Sequence, residues 1–191
     1  MLCRSATGTP NYPVERAREP DLATVSPALH AAANALCERL RSAGAGSFMA
    51  TEEQYAALAT SFGLPLPQWL SALLQNYSLC GAELFWQAYP PEDDFDGRSY
   101  IILADPGNMA AESTELTPGC DILPLGFVCI AADGDGIGDP YFIPLDKEDP
   151  PVYQVYHDNT AAEDQIGPHS GRLVAHHLSD FLNMLMPAST D

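Results

Sequence analysis

The stretch DILPLGFVCIAADGDGIGDPYFIPLDKEDPPVYQVYH, residues 121–157, decides the fold. Three apolar runs lie within it: Leu123 to Ala131, Tyr141 to Leu145 and Val152 to Tyr156. Each is short, rich in β-branched and aromatic residues, and bounded by turn chemistry, which is the pattern of successive strands. The first connection, Asp133 to Asp139, is glycine-rich, and glycine supplies the positive φ of tight turns at no steric cost. The second, Asp146 to Pro151, is charged and ends in two prolines. The stretch therefore predicts a three-stranded antiparallel meander, one face of which the rest of the chain must cover.

Working outward, Glu83 to Tyr89 reads as a further strand stopped by Pro90-Pro91, and Tyr100 to Leu103 as another. Between them lies an acidic turn holding Glu92, Asp93, Asp94 and Asp96. Asp105-Pro106 has helix-opening chemistry and predicts a short helix over Asn108 to Glu115. Further upstream, Ser26-Pro27 is a capped helix start, followed at helical spacing by Leu29, Ala32, Ala33, Leu36 and Leu40. Thr51 with Gln54 forms a capping box, and Gly63 closes the helix that carries Tyr55, Leu58 and Phe62. Pro67 opens a third helix with Trp69, Leu70, Leu73, Leu74 and Tyr77 on one face. Downstream, Asn159 to Gly171 is a polar loop. Val174, Leu178, Phe181, Leu182 and Leu185 predict a final helix ended by Pro187. Residues 1–24 are polar, with three prolines and no periodicity, and read as an N-terminal arm; residues 25–191 read as a single domain. Helices, then strands, then one helix make an α+β fold, a mostly antiparallel sheet with helices packed on one face.

Composition narrows the function. The formal net charge is −18. Residues 42–191 hold 22 acidic residues against three basic ones, Arg98, Lys147 and Arg172. Such a surface repels nucleic acid phosphates and attracts basic proteins. No apolar run approaches the roughly 20 residues of a membrane span. The segment Met1 to Pro20 has no apolar core of a secretory signal, so a cytoplasmic location is expected. The five cysteines are odd in number and none is paired as C-x-x-C, which points to reduced thiols rather than a disulfide framework or a zinc site.

Candidate chemistry is thin. The loop Asp133-x-Asp135-Gly136 has the oxygen ligands of a calcium loop, but the position for the bidentate Glu falls on Pro144. Solvated aspartates in a tight turn are the simpler reading. His176 and His177 are adjacent and diverge by about 100° on a helix, too far to share a metal. His157-Asp158 stands without a second His/Asp cluster. There is no G-x-S-x-G elbow and no phosphate loop, and Cys80 lacks the local signature of a catalytic thiol. No catalytic residue, metal or cofactor is expected.

Several motifs occur together. Leu66-Pro67-x-Trp69-Leu70, with Leu73, Leu74, Asn76 and Tyr77, resembles the entry segment of the SUKH (Smi/Knr-like) superfamily. Leu123-Pro124-Leu125-Gly126, the turn Asp133 to Gly136, and Tyr141-x-Ile143-x-Leu145-Asp146 resemble its central hairpin. Pro151-Val152-Tyr153-x-x-Tyr156-His157-Asp158 is similar to its next strand, and Val174-Ala175-x-x-Leu178-x-x-Phe181-Leu182 to its last helix. The match spans about residues 50–186. The resemblance implies an α+β fold without a recognised catalytic constellation. It also implies an immunity protein that binds and neutralises a toxin, often a nuclease or deaminase, or else a regulator acting through protein contacts. A metal-dependent enzyme using the Asp133–Asp139 loop is the remaining alternative. The charge makes a basic toxin the expected partner. Glu92, Asp93, Asp94 and Asp96 are its expected first contact set, Asp133, Asp135 and Asp139 the second, and Trp86 a candidate apolar anchor.

Overall fold

The computed structural model describes residues 25–158 and 171–188. The N-terminal arm and residues 159–170 of the expected polar loop lie outside the described residues. Three helices come first: α1 (Pro27–Ala43), α2 (Glu52–Phe62) and α3 (Gln68–Asn76). Their ends follow local chemistry. Ser26 Oγ accepts from Leu29 N at the start of α1, and Gly44 closes it in the left-handed region. At α2, Thr51 and Gln54 exchange both hydrogen bonds of the capping box, and Gly63 closes the helix with φ 62°. The buried residues of α1 are Leu29, Ala32, Ala33, Leu36 and Leu40, the stripe its spacing predicts.

Strands β1 (Glu83–Gln87) and β2 (Arg98–Leu103) follow, then α4 (Pro106–Thr114) and the single turn α5 (Gly119–Ile122). Next come β3 (Phe127–Asp133), β4 (Tyr141–Pro144), β5 (Val152–Val155), β6 (Gly171–Ala175), α6 (Leu178–Met184) and β7 (Met186–Pro187). One antiparallel sheet holds all seven strands in the order β6-β5-β4-β3-β2-β1-β7. The predicted meander is β3-β4-β5 at its heart. A bulge between Cys129 and Ala131 interrupts the β3–β4 register, and the freed Cys129 N donates to the buried Ser113 Oγ of α4 at 3.0 Å. Bulges bend the strand that carries them.

The structure corrects several boundaries. Leu123 to Leu125 is a 3-10 turn rather than the start of a strand, closed by Gly126 at φ 84°. Pro124 has no N–H to give a sheet ladder, so the strand begins only at Phe127. Val174 belongs to β6, not to the final helix, which starts at Leu178. Val174 and Leu178 are four residues apart and so imitate one helical face, although a strand and a helix supply them. Pro187 likewise sits in β7, which lines the β1 edge.

Cross-strand partners share a face of the sheet. Register places Leu84 and Trp86 of β1 beside Ile101 and Ser99 of β2, and Tyr141, Gln154 and Arg172 in line across β4, β5 and β6. This inner face is strongly curled. Four strands separate β6 from β1, yet the Arg172 guanidinium lies over the Trp86 ring, 4.9 Å from its centroid. Across the same concavity Trp86 Nε1 donates to Tyr141 Oη at 3.1 Å, and Ser99 Oγ shares a hydrogen bond with that hydroxyl at 3.0 Å. Burial pushes the Tyr141 hydroxyl's pKa above the ordinary tyrosine value. Phe181 of α6 stacks on the Tyr141 ring, so α6 plugs the inner face. The side chain of its own N-cap, His177, makes no bond to the first turn of α6. Asp149 from the β4–β5 connection does so instead, accepting from Ser179 N at 2.8 Å and from Ser179 Oγ at 2.7 Å. On the far side, Arg39 of α1 donates to Leu182 O at 2.7 Å.

Candidate protein-binding surface at the loop end of the sheet

In an antiparallel sheet of this order the β1–β2, β3–β4 and β5–β6 connections all leave from one end. Both acidic sets named from the sequence therefore belong to the same end of the molecule. The β3–β4 loop is tied to β2, because Asp135 Oδ2 accepts from Tyr100 N at 3.1 Å and Ser99 Oγ at 3.3 Å. It is tied equally to the end of β5, where Asp139 Oδ1 accepts from His157 N and meets His157 Nδ1, both at 2.9 Å.

The two sets differ in what their carboxylates do. In the β3–β4 loop they build the backbone. Asp133 Oδ2 accepts from Ile137 N at 2.7 Å and Gly138 N at 2.9 Å, while Oδ1 accepts from Asp135 N at 3.3 Å. In the β1–β2 loop the framework is instead main chain. Glu92 and Phe95 pair in both directions at 2.7 and 3.2 Å, leaving Asp93 and Asp94 at the tip. Gln87 Nε2 gathers the loop by donating to Tyr89 O and Asp96 O. Gly97, at φ 71°, closes it: a Cβ there would lie 2.2 Å from Tyr89 O, so no other residue fits. Glu92, Asp93 and Asp94 are exposed. Asp96 accepts from Arg98 N at 2.9 Å, with its other oxygen 3.7 Å from Arg98 Nε.

Trp86 is not at the surface. Alternation along β1 turns Leu84 and Trp86 inward, where both are buried, and leaves Phe85 on the outer face against Tyr100. The exposed apolar side chains of the loop end are instead Tyr89, Phe95, Ile137 and Tyr156. Tyr89 and Phe95 stand with ring centroids 6.1 Å apart. Sequence reading missed them because it ran the first strand on to Tyr89, whereas β1 ends at Gln87 and both rings stand in the β1–β2 connection, where alternation carries no information. The available signal was an aromatic on either side of Pro90-Pro91 and the Asp93-Asp94 turn, in a segment too polar to be core.

Arg98 and Arg172, two of the three basic residues in residues 42–191, are both stacked on aromatic rings. Arg98 lies over Phe85 at 4.3 Å, and Arg172 over Trp86 and Tyr89 at 4.9 Å each. Arg172 also donates from Nε to Gln154 Oε1 at 2.9 Å.

His157 sits at this end beside two carboxylates. Its ring lies between Asp139 and Asp158, each at 2.9 Å, and the hydrogen bond to Asp139 raises its pKa above the ordinary histidine value. A folded-state pKa raised in this way contributes stability that is fully present below the unfolded value, near 6.5, and lost as pH rises through the folded one. An NMR titration is expected to place the His157 midpoint above that of an unstructured histidine. Asp139→Asn should bring it down; an unmoved midpoint would show that the contact is not formed in solution.

The carboxylate bonding also bears on metal. Among the described residues no group of three or more His, Cys, Asp and Glu side chains is placed to hold an ion. Asp133 gives both carboxylate oxygens, and Asp135 its Oδ2, to N–H and O–H donors of the protein. Calorimetry is expected to show no micromolar calcium binding and no calcium-dependent rise in melting temperature. Asp135→Ala should instead lower stability by about 1 kcal/mol through the lost bonds to β2. Micromolar calcium binding abolished by that substitution would contradict this assignment. Cys80 is buried, and desolvation pushes its thiol up to about 11, the opposite of an activated thiolate. No helix among the described residues is long and apolar enough to cross a membrane.

A curled seven-stranded antiparallel sheet, plugged by helices and preceded by a helical segment, defines an α+β domain of the SUKH type. Residues 49–184 match the model of the SMI1 / KNR4 family (SUKH-1), and the chain belongs to that family. No curated protein and no solved structure gives a significant match to it.

Proposed function

We propose that this protein is a non-catalytic, immunity-type binding domain that neutralises a basic protein toxin, acting in the cytoplasm, with the loop end of its sheet as the contact surface. The observation that carries the reading is the gathering of both acidic loops at one end of the sheet. There the exposed carboxylates of Glu92, Asp93 and Asp94 stand on a loop already fixed by its own main chain. Family membership supports a protein-binding role without supplying the partner. A toxin that acts on nucleic acid needs a positive surface to hold phosphates, and an acidic protein can occupy that surface in their place. A loop ordered before binding loses little entropy on contact.

The test is co-expression with the product of the neighbouring gene. A toxin partner is expected to arrest growth alone, to be silenced by this protein, and to co-purify with it. A complex without growth rescue would favour a regulatory partner, and failure of both would refute the reading.

A further inference from the structure

Tyr89 and Phe95 lie on the β1–β2 loop, each half exposed, at 50% and 48%. Their rings are tilted by 44° at a centroid separation of 6.1 Å. Between them in sequence, Glu92, Asp93 and Asp94 are exposed and carry negative charge. The molecule shows within its own fold what such rings take. Arg172 lays its guanidinium over Tyr89, and Arg98 does the same over Phe85. Aromatic faces attract cations through their quadrupole, and arginine, being planar and weakly hydrated, stacks better than lysine. A carboxylate beside the ring can take the edge of the same guanidinium through paired N–H donors. Exposed aromatics fixed on an ordered loop and ringed by charge also have the make-up of interface anchors.

We propose that this loop is an arginine-selective docking surface: an arginine-bearing segment of a protein partner stacks on Tyr89 and Phe95 while Glu92, Asp93 and Asp94 hold its charge. The inference rests on the proposed function for the identity of the partner, but its chemistry is independent of it. The acids supply attraction for any cation; the rings discriminate between cations. Lysine-rich segments would be drawn to the same end and released sooner.

The experiment uses the full chain and two synthetic peptides of equal charge, one carrying arginines separated by glycine and the other carrying lysines. Amide shifts are followed by NMR as each is added. The arginine peptide is expected to move signals of residues 88–97 and to bind roughly two- to five-fold more tightly per stacked side chain than the lysine peptide. Phe95→Ala should abolish that preference while leaving the weak, salt-sensitive attraction common to both peptides. Tyr89→Ala should do the same, though it also frees Arg172, so Phe95→Ala is the cleaner variant. Asp93→Asn with Asp94→Asn should weaken both peptides alike. Equal affinity for the two peptides, a preference that survives Phe95→Ala, or shifts confined to other surfaces would each overturn the proposal. Because no toxin is present, a negative result here leaves the co-expression test standing, and the reverse also holds.

Discussion

Replacing Phe181 with alanine is expected to cost about 3–5 kcal/mol, the range for truncating a buried aromatic ring. The ring is fully buried and stacks on Tyr141 at a centroid distance of 5.6 Å and an interplanar angle of 28°. The loss extends beyond one cavity. α6 has seven residues, too few to persist as a helix without tertiary packing. Its two polar attachments, Asp149 at the first turn and Arg39 at the last, hold its ends but bury little apolar surface. Phe181 also packs on the ring whose hydroxyl bonds Trp86 and Ser99. Urea denaturation should show the midpoint falling with little change in slope. Trp69→Ala, at another buried site, should fall in the same range. A midpoint unchanged by Phe181→Ala would mean that α6 is not docked on the sheet in solution.

Neutralising Glu92, Asp93 and Asp94 together is expected to slow association with the proposed toxin by about tenfold at low salt, with a much smaller change in dissociation. Exposed rim charges contribute roughly 0.2–1 kcal/mol each to a formed complex, because solvent screens them. Their long-range field acts before contact, and there the negative charge of residues 42–191 adds up. Added salt should erase the difference between variant and parent as the Debye length shrinks to about 8 Å near physiological ionic strength. Stopped-flow kinetics over a salt series measures this directly. Association indifferent both to salt and to these three charges would leave the acidity with no part in recognition. The division of labour is then testable within one loop: carboxylates set the rate of arrival, and rings set the rate of departure.

What could be read from the chain alone follows the range of the interactions. Caps are local. Ser26, Thr51 with Gln54, Gly63 and Asp105 each bond backbone within a few residues, so each helix start or stop was visible in a four-residue window. The meander was visible because hairpin partners are neighbours in sequence. The curl was not. It brings Arg172 over Trp86, 86 positions earlier in the chain, and no periodicity encodes that distance. The acidic loops were legible as charge but not as structure. Asp133 and Asp135 look as free as Asp93 and Asp94 in the sequence, yet the first pair also builds its own loop and ties it to β2, while the second stands at the tip of a loop framed by main chain. Val174 shows the opposite failure, a correct apolar position whose spacing happened to satisfy the wrong period.

The alternation of the strands has a consequence for how this molecule can change. Helix packing, the Asp149 attachment of α6 and the bulge held by Ser113 lie away from the tips of the β1–β2 and β3–β4 loops. The fold thus separates a chassis from an exchangeable head. Asp93 and Asp94 sit at a turn closed on both sides by main-chain bonds between Glu92 and Phe95, so what lies between those two residues is a cassette. Its length and charge can be rewritten while the frame beneath keeps its shape, which makes the loop end a natural place to graft a new specificity.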